Sequence, residues 1–266
     1  MINEIIHLDP ENPEVTLEVH AVLTDTPRTA MLVIPGGGYG MVCSDREGGP
    51  IAEAYLAHGI NSFVLNYRVG PVHHHPEQLI DAARAIHYIR ENADKYGVDP
   101  DRIFTVGFSA GGHLVGLIAT KHREAEGLLD LPENSTRPTG SVYCYPVVST
   151  MCPTHGGSFD NLSGKRLADF TEHEKQYYSI EVNVTSETPP AFIWHTATDD
   201  AVPVYGSLRL AESYIRQGVT VSLHIYPYGP HGVALANELT MSNNPAFVQP
   251  LAQGWVDSSV EWIKTV

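Results

Sequence analysis

Residues 107–112 read Gly107-Phe108-Ser109-Ala110-Gly111-Gly112. A serine flanked by glycines two positions away on each side can be thrown outward on a very sharp turn, because neither neighbour carries a side chain to obstruct the reversal. The stretch Arg102 to Val106 ahead of it reads as a short buried strand, and His113 to Ala119 after it as a packed helix. This context predicts a nucleophile, held in a strained backbone region of the kind tolerated at functional sites and facing the positive end of the following helix. A serine hydroxyl is a poor nucleophile at neutral pH. It needs a base, a carboxylate to orient that base, and donors for the oxyanion that forms. Loop carboxylates Asp199 and Asp200 follow the strand Pro190 to His195. His231 follows the last predicted strand between Gly229-Pro230 and Gly232, where glycines permit close backbone approach. His195 reads as a supporting residue at a strand end, and His224 lies on the more polar face of its strand. Gly36-Gly37-Gly38-Tyr39 follows an apolar strand, Ala30 to Ile34, and offers peptide N–H groups free of side chains.

The elements that must position these groups alternate. Val15 to Val22 reads as an antiparallel edge strand, and further strands are expected at 30–34, 61–66, 102–106, 142–148, 190–195 and 219–226. Helices are expected at 51–58, from Pro76 to Gly97, at 113–119, at 204–217 and within 254–266. Strands alternating with helices imply a mostly parallel sheet covered on both faces, an α/β fold in one domain over residues 1–266. Residues 150–188 are less regular and read as an insertion over the C-terminal edge of the sheet, where such folds bind ligands: either a small cap or lid, or a surface excursion with no role. His73-His74-His75 reads as a solvated loop rather than a metal site, since adjacent residues rarely converge on one ion. Trp194 and Trp255 read as core.

The chain is 42% hydrophobic and 18% charged over 266 residues, large enough for a core without disulfides or metals. Sixteen basic against 31 acidic residues give a net charge of −15, which argues against nucleic acid or an anionic membrane as partner. Cys43, Cys144 and Cys152 have no metal-binding spacing and read as reduced thiols in a cytoplasmic protein. No signal peptide or membrane span is read from the sequence.

The chain resembles the bacterial esterase/lipase branch of the α/β-hydrolases, near the hormone-sensitive-lipase-like and acetyl-xylan-esterase-like enzymes. The matching stretches are Ile34 to Tyr39, Gly107 to His113, Pro189 to Phe192, Asp199 to Pro203, and His231-Gly232. The lipase-like branch has a histidine before the glycine triplet. This chain has Pro35, which sets it nearer the sugar-ester branch. The resemblance implies the chain order Ser, acid, His. It selects Asp199, three residues before Val202-Pro203, over Asp200, and gives Ser109, Asp199 and His231 as the triad. It also gives the amides of Gly37, Gly38 and Ala110 as the oxyanion hole. Tyr39 is a candidate substrate contact, with packing as its alternative role. The implied activity is a serine esterase acting on a small acyl group, such as acetyl on a sugar, without metal or organic cofactor. A serine peptidase or amidase using the same triad, and a non-catalytic binding protein on a hydrolase scaffold, are the alternatives. The expected partner is a small ester; edge strands and the C-terminal helix leave room for a homo-oligomer.

Overall fold

The computed structural model describes residues 1–266. Its strands are β1 (Ile2–His7), β2 (Thr16–Ala21), β3 (Arg28–Ile34), β4 (Asn61–Asn66), β5 (Val98–Phe108), β6 (Gly140–Cys144), β7 (Ala191–Thr196) and β8 (Val221–Tyr226). They form one sheet in the order β1-β2-β4-β3-β5-β6-β7-β8. Strands β3 to β8 are parallel to their neighbours, while β2 runs antiparallel to both β1 and β4. The helices are α1 (Ser44–Glu47), α2 (Gly49–Ala57), α3 (Glu77–Glu91), α4 (Ala93–Tyr96), α5 (Ala110–Leu129), α6 (Gly156–Ser163), α7 (Glu172–Tyr178), α8 (Ile180–Asn183), α9 (Tyr205–Arg216) and α10 (Trp255–Ile263). None is long and apolar enough to cross a membrane. This is the α/β-hydrolase fold expected from the sequence.

The strands alternate between two apolar layers, as a period of two requires. Ala30, Leu32 and Ile34 of β3 pack with Leu79, Ile86, Leu114 and Leu210 of α3, α5 and α9. Met31 and Val33 face the other way, towards Ile51, Tyr55 and Trp255 of α2 and α10. Burial on both faces explains why the middle strands read as continuous apolar runs. Trp194 and Trp255 are fully buried and stack at 5.3 Å between centroids.

Several boundaries differ from the sequence reading. The strand at 16–21 is not the edge. β1 covers it, its alternate residues Ile2, Glu4 and Ile6 half-buried, a weak signal in a run interrupted by Asn3 and Glu4. Strand β6 stops at Cys144, not 148, because Tyr145 takes a φ of +36° and Pro146 has no amide hydrogen for a ladder. On the apolar side of β8, Val221 packs against the core while the residues beyond it are open. Leu223 and Ile225 are 37% and 38% exposed, whereas His224 stacks on Phe192. Loop 73–75 is half-buried rather than solvated, and its histidines diverge. His73 pairs with Glu77, His74 bonds the carbonyl of Asn161, and His75 bonds the Tyr177 hydroxyl. The loop therefore fastens residues 150–188, which fold as α6, a short 3₁₀ turn, α7 and α8.

Candidate active site

Ser109 ends the β5 turn with φ 53° and ψ −119°, far from either helix or strand. Its amide donates to Cys144 O, and its carbonyl accepts from His113 N and Val147 N. The strained residue is thus held by β6 on one side and by α5 on the other. The glycines are required by close approach. A Cβ on Gly111 would lie 2.2 Å from Ile34 O and 2.4 Å from Pro35 O, so α5 can press against the end of β3 only with glycine there. Helix α5 then starts at Ala110, whose amide is free of intrahelical partners.

Asp199 and His231 reach Ser109 from the loops after β7 and β8. Ser109 Oγ is 2.7 Å from His231 Nε2, and His231 Nδ1 is 2.7 Å from Asp199 Oδ2. An ionised carboxylate only accepts, so the imidazole proton sits on Nδ1 and Nε2 is left to accept from the Ser109 hydroxyl. Burial pushes the Asp199 carboxyl up, but hydrogen bonds from His195 and His231, the favourable electrostatics of the adjacent His231 ring and the Val202 amide outweigh it and hold the group well below the usual carboxylate range. Its other oxygen accepts from the amides of Ala201 and Val202 at 3.0 and 2.8 Å, which fixes the carboxylate plane. This is the physical reason for an aspartate three residues ahead of Val202-Pro203. Asp200 is exposed and bonds neither histidine. His195 is fully buried, its Nε2 between Asp199 Oδ2 and Val202 O, its Nδ1 on Ser207. It supports Asp199 from behind, away from Ser109.

The glycine run faces the same point. Gly37 has a φ of +124°, and a Cβ there would lie 2.2 Å from Met41 O. Its carbonyl accepts from Gly40 N and Met41 N, that of Gly36 from Cys43 N, and that of Gly38 from Asn161 Nδ2 at 2.9 Å. With the carbonyls turned into the protein, the amides of Gly37 and Gly38 find no acceptor there. Gly37, Gly38, Ser109 and His231 line one cavity of about 180 Å³. This is smaller than the roughly 300–1,000 Å³ of pockets that hold drug-sized ligands. A larger hollow of about 750 Å³ opens at the opposite strand ends, among Arg90, Arg123 and Arg137. Arg90 and Arg137 there bond main-chain carbonyls, Arg123 pairs with carboxylates, and no histidine lines the hollow beside the hydroxyls of Ser135 and Thr139.

Tyr39 is corrected. Its ring is fully buried and its hydroxyl meets His113 Nδ1 at 2.9 Å, so its side chain packs under the site instead of touching a substrate. Burial lowers His113 to about 4, against its bond to Tyr178 O. The sequence reading passed over Arg46, Glu47 and His155, which also line the cavity. Glu47 sits in the polar run Ser44 to Gly49, which carries no sign of burial. His155 comes from the irregular segment and stands at the mouth, its ring 3.7 Å from where a Gly38 Cβ would be.

Residues 20–214 match the family model BD-FAE. Over 220 residues the chain is 38% identical to endo-1,4-beta-xylanase B of Butyrivibrio fibrisolvens, an alignment covering 80% of this chain and 34% of that one. It is 31% identical over 208 residues to the acetylxylan esterase of Xylanibacter ruminicola, covering 76% of this chain and 40% of that one. The chain thus spans well under half the length of these two relatives. Among solved structures, the acetyl ester-xyloside bifunctional hydrolase of Caldicellulosiruptor lactoaceticus superposes with a TM-score of 0.82 at 33% identity, covering 98% of this chain and 96% of that one. The α/β hydrolase MGS-M1 from a deep-sea metagenome library superposes with a TM-score of 0.80 at 31% identity, covering 100% and 97%.

Proposed function

The chain belongs to the BD-FAE family, within the α/β-hydrolase fold, and from that premise we propose that it is a serine carboxylic-ester hydrolase acting through an acyl-enzyme on small acyl esters, acetyl esters of sugars foremost. The observation that carries this reading is the unbroken chain Asp199–His231–Ser109, with both links at 2.7 Å, beside two unengaged glycine amides. His231 Nε2 takes the hydroxyl proton as Ser109 Oγ attacks the ester carbonyl, and Asp199 stabilises the imidazolium that results. The carbonyl oxygen gains its negative charge where the amides of Gly37, Gly38 and Ala110 converge, each donor contributing on the order of 3 kcal/mol to the barrier. His231 returns the proton to the departing alcohol. Water then attacks the acyl-enzyme with His231 again as base, releasing the acid and restoring Ser109.

Two further observations support the substrate class. The cavity of about 180 Å³ suits a short acyl chain, and its lining is mostly polar, with Arg46 and His155 near the mouth. The names of the acetylxylan esterase and the acetyl ester-xyloside hydrolase point to acetylated sugars, and that of the xylanase to xylan. The test is hydrolysis of p-nitrophenyl acetate, butyrate and octanoate by wild type and Ser109→Ala. The expected result is fastest turnover of acetate and a fall of about 10⁴-fold or more in the variant. Unchanged hydrolysis by Ser109→Ala would overturn the mechanism, and a preference for octanoate would overturn the small-acyl assignment.

A further inference from the structure

Glu47, at the end of α1, is 3% exposed and pairs with no lysine or arginine. Its neighbour Arg46 turns away, donating to Gly232 O at 2.8 Å and lying 5.0 Å over the Phe247 ring. A buried carboxylate without a cation is costly, and a neutral or apolar side chain of like volume would serve packing at least as well. Burial raises the Glu47 carboxyl, while the Tyr145 hydroxyl, the Gly36 amide, His231 and the field of Arg46, which makes no ion pair with it, favour its charged form.

Both carboxylate oxygens are committed, each to a different wall of the active site. Oε2 accepts from the Gly36 amide at 2.8 Å. Gly36 immediately precedes the two amides that face the cavity, and its own carbonyl is held by Cys43 N. Oε1 accepts from the Tyr145 hydroxyl at 2.7 Å. The Tyr145 oxygen in turn accepts from Ala234 N at 3.0 Å, three residues past His231. The Tyr145 ring stands edge-on to the His231 imidazole, centroids 5.1 Å apart and planes at 74°. Tyr145 reaches this place only by adopting the φ of +36° that ends β6. A continuous buried connection therefore runs from Gly36 through Glu47 and Tyr145 to the loop that carries His231.

We propose that Glu47, acting through Tyr145, is a positioning residue for ester hydrolysis that fixes the oxyanion amides and the His231 imidazole relative to one another across Ser109. The inference rests on the serine-esterase reading above. Glu47 makes no hydrogen bond to Ser109 Oγ, since Gly36 and Tyr145 engage both of its carboxylate oxygens. Its effect falls on the moment when both walls must be in register, as the oxyanion forms and the proton moves. Loss of that register belongs to the transition state, so it lowers kcat and leaves KM nearly unchanged.

The variants Glu47→Gln and Tyr145→Phe conserve volume and break the connection at one link each. Each is measured on p-nitrophenyl acetate, with kcat expressed per reactive Ser109 by titration with a covalent serine-directed phosphonate. Inhibition by phenylboronic acid, whose tetrahedral adduct places an oxygen among the oxyanion donors, is measured alongside. The expected result is a kcat roughly ten- to hundredfold lower in each variant, the size of one charge-assisted hydrogen bond. KM should stay within about threefold of wild type, and boronic acid affinity should fall in step with kcat. If kcat per reactive serine and boronic acid affinity both stay within twofold of wild type, the proposal is overturned, whatever happens to thermal stability. Ser109→Ala separates the two readings. Full hydrolysis by that variant sinks the esterase reading, whereas an inactive Ser109→Ala beside fully active Glu47 and Tyr145 variants sinks only the positioning role.

Discussion

Replacing Asp199 by asparagine tests the proton arrangement more sharply than deleting it. In the wild-type site Asp199 Oδ1 takes two backbone amides, Ala201 N at 3.0 Å and Val202 N at 2.8 Å. An asparagine must keep its oxygen on that side, because its NH₂ cannot face two N–H donors. The nitrogen is then forced to the Oδ2 position, 2.7 Å from His231 Nδ1 and 3.2 Å from His195 Nε2. His195 can fall back on Val202 O at 2.9 Å. His231 has no such alternative, so its Nδ1 becomes the acceptor and its proton moves to Nε2. There it faces Ser109 Oγ as a donor and cannot serve as base. The same exchange in a serine-protease triad lowers kcat by about 10⁴, or about 5 kcal/mol of barrier, and that is the loss expected here. The assay is p-nitrophenyl acetate hydrolysis by Asp199→Asn, with Asp200→Asn as the control expected within twofold of wild type, since Asp200 is exposed and bonds neither histidine. Activity of Asp199→Asn within tenfold of wild type, in a protein that melts normally, would refute the tautomer argument.

The other expectations concern stability. Gly111→Ala sets a methyl 2.2 Å from Ile34 O, a backbone atom that cannot swing aside, so it should destabilise by more than about 4 kcal/mol. Gly127→Ala in the same helix meets nothing within 4 Å and should add roughly 0.5–1 kcal/mol. Equal melting temperatures for the two variants would contradict this. Burial lowers His75 and His113 to about 4, so between pH 6.5 and 4 the unfolded chain binds more protons than the folded one. Their contribution is fully present above pH 6.5 and is lost as pH falls, at on the order of 2 kcal/mol per pH unit for the pair. Glu47, Asp81 and Glu181, held up by burial, oppose this in part. Urea midpoints that do not move between pH 7 and 5 would rule it out.

The parallel strands were legible because burial on both faces fills most of their middle positions with apolar residues. The span 61–66 is read from the sequence and found in the structure with the same ends. Strand β1 was missed because an edge strand needs only half its residues apolar. In the site, Ser109, Asp199 and His231 could be singled out, since backbone reversal and chain order leave marks on residue type. Tyr39 could not be placed, because a tyrosine beside a glycine run looks the same whether its ring points out to solvent or in to His113. Glu47 and Tyr145 were invisible for a related reason. Their partnership spans 98 positions and depends on a backbone twist at Tyr145 that no residue type announces.

Asn161 has two attachments that bear on how such a protein can diverge. Its side chain donates to the carbonyl of Gly38, and its own carbonyl accepts from His74. Helix α6, which follows the His155 that lines the cavity, is thereby joined to the carbonyl of Gly38, one peptide on from the Gly38 amide. Residues 150–188 and the glycine run are consequently not separate units in this chain. A lineage that exchanges residues 150–188 for another segment also removes a support of the Gly38 carbonyl. It must carry Asn161 or a substitute for it, together with loop 73–75, so the heritable module is larger than the exchanged segment.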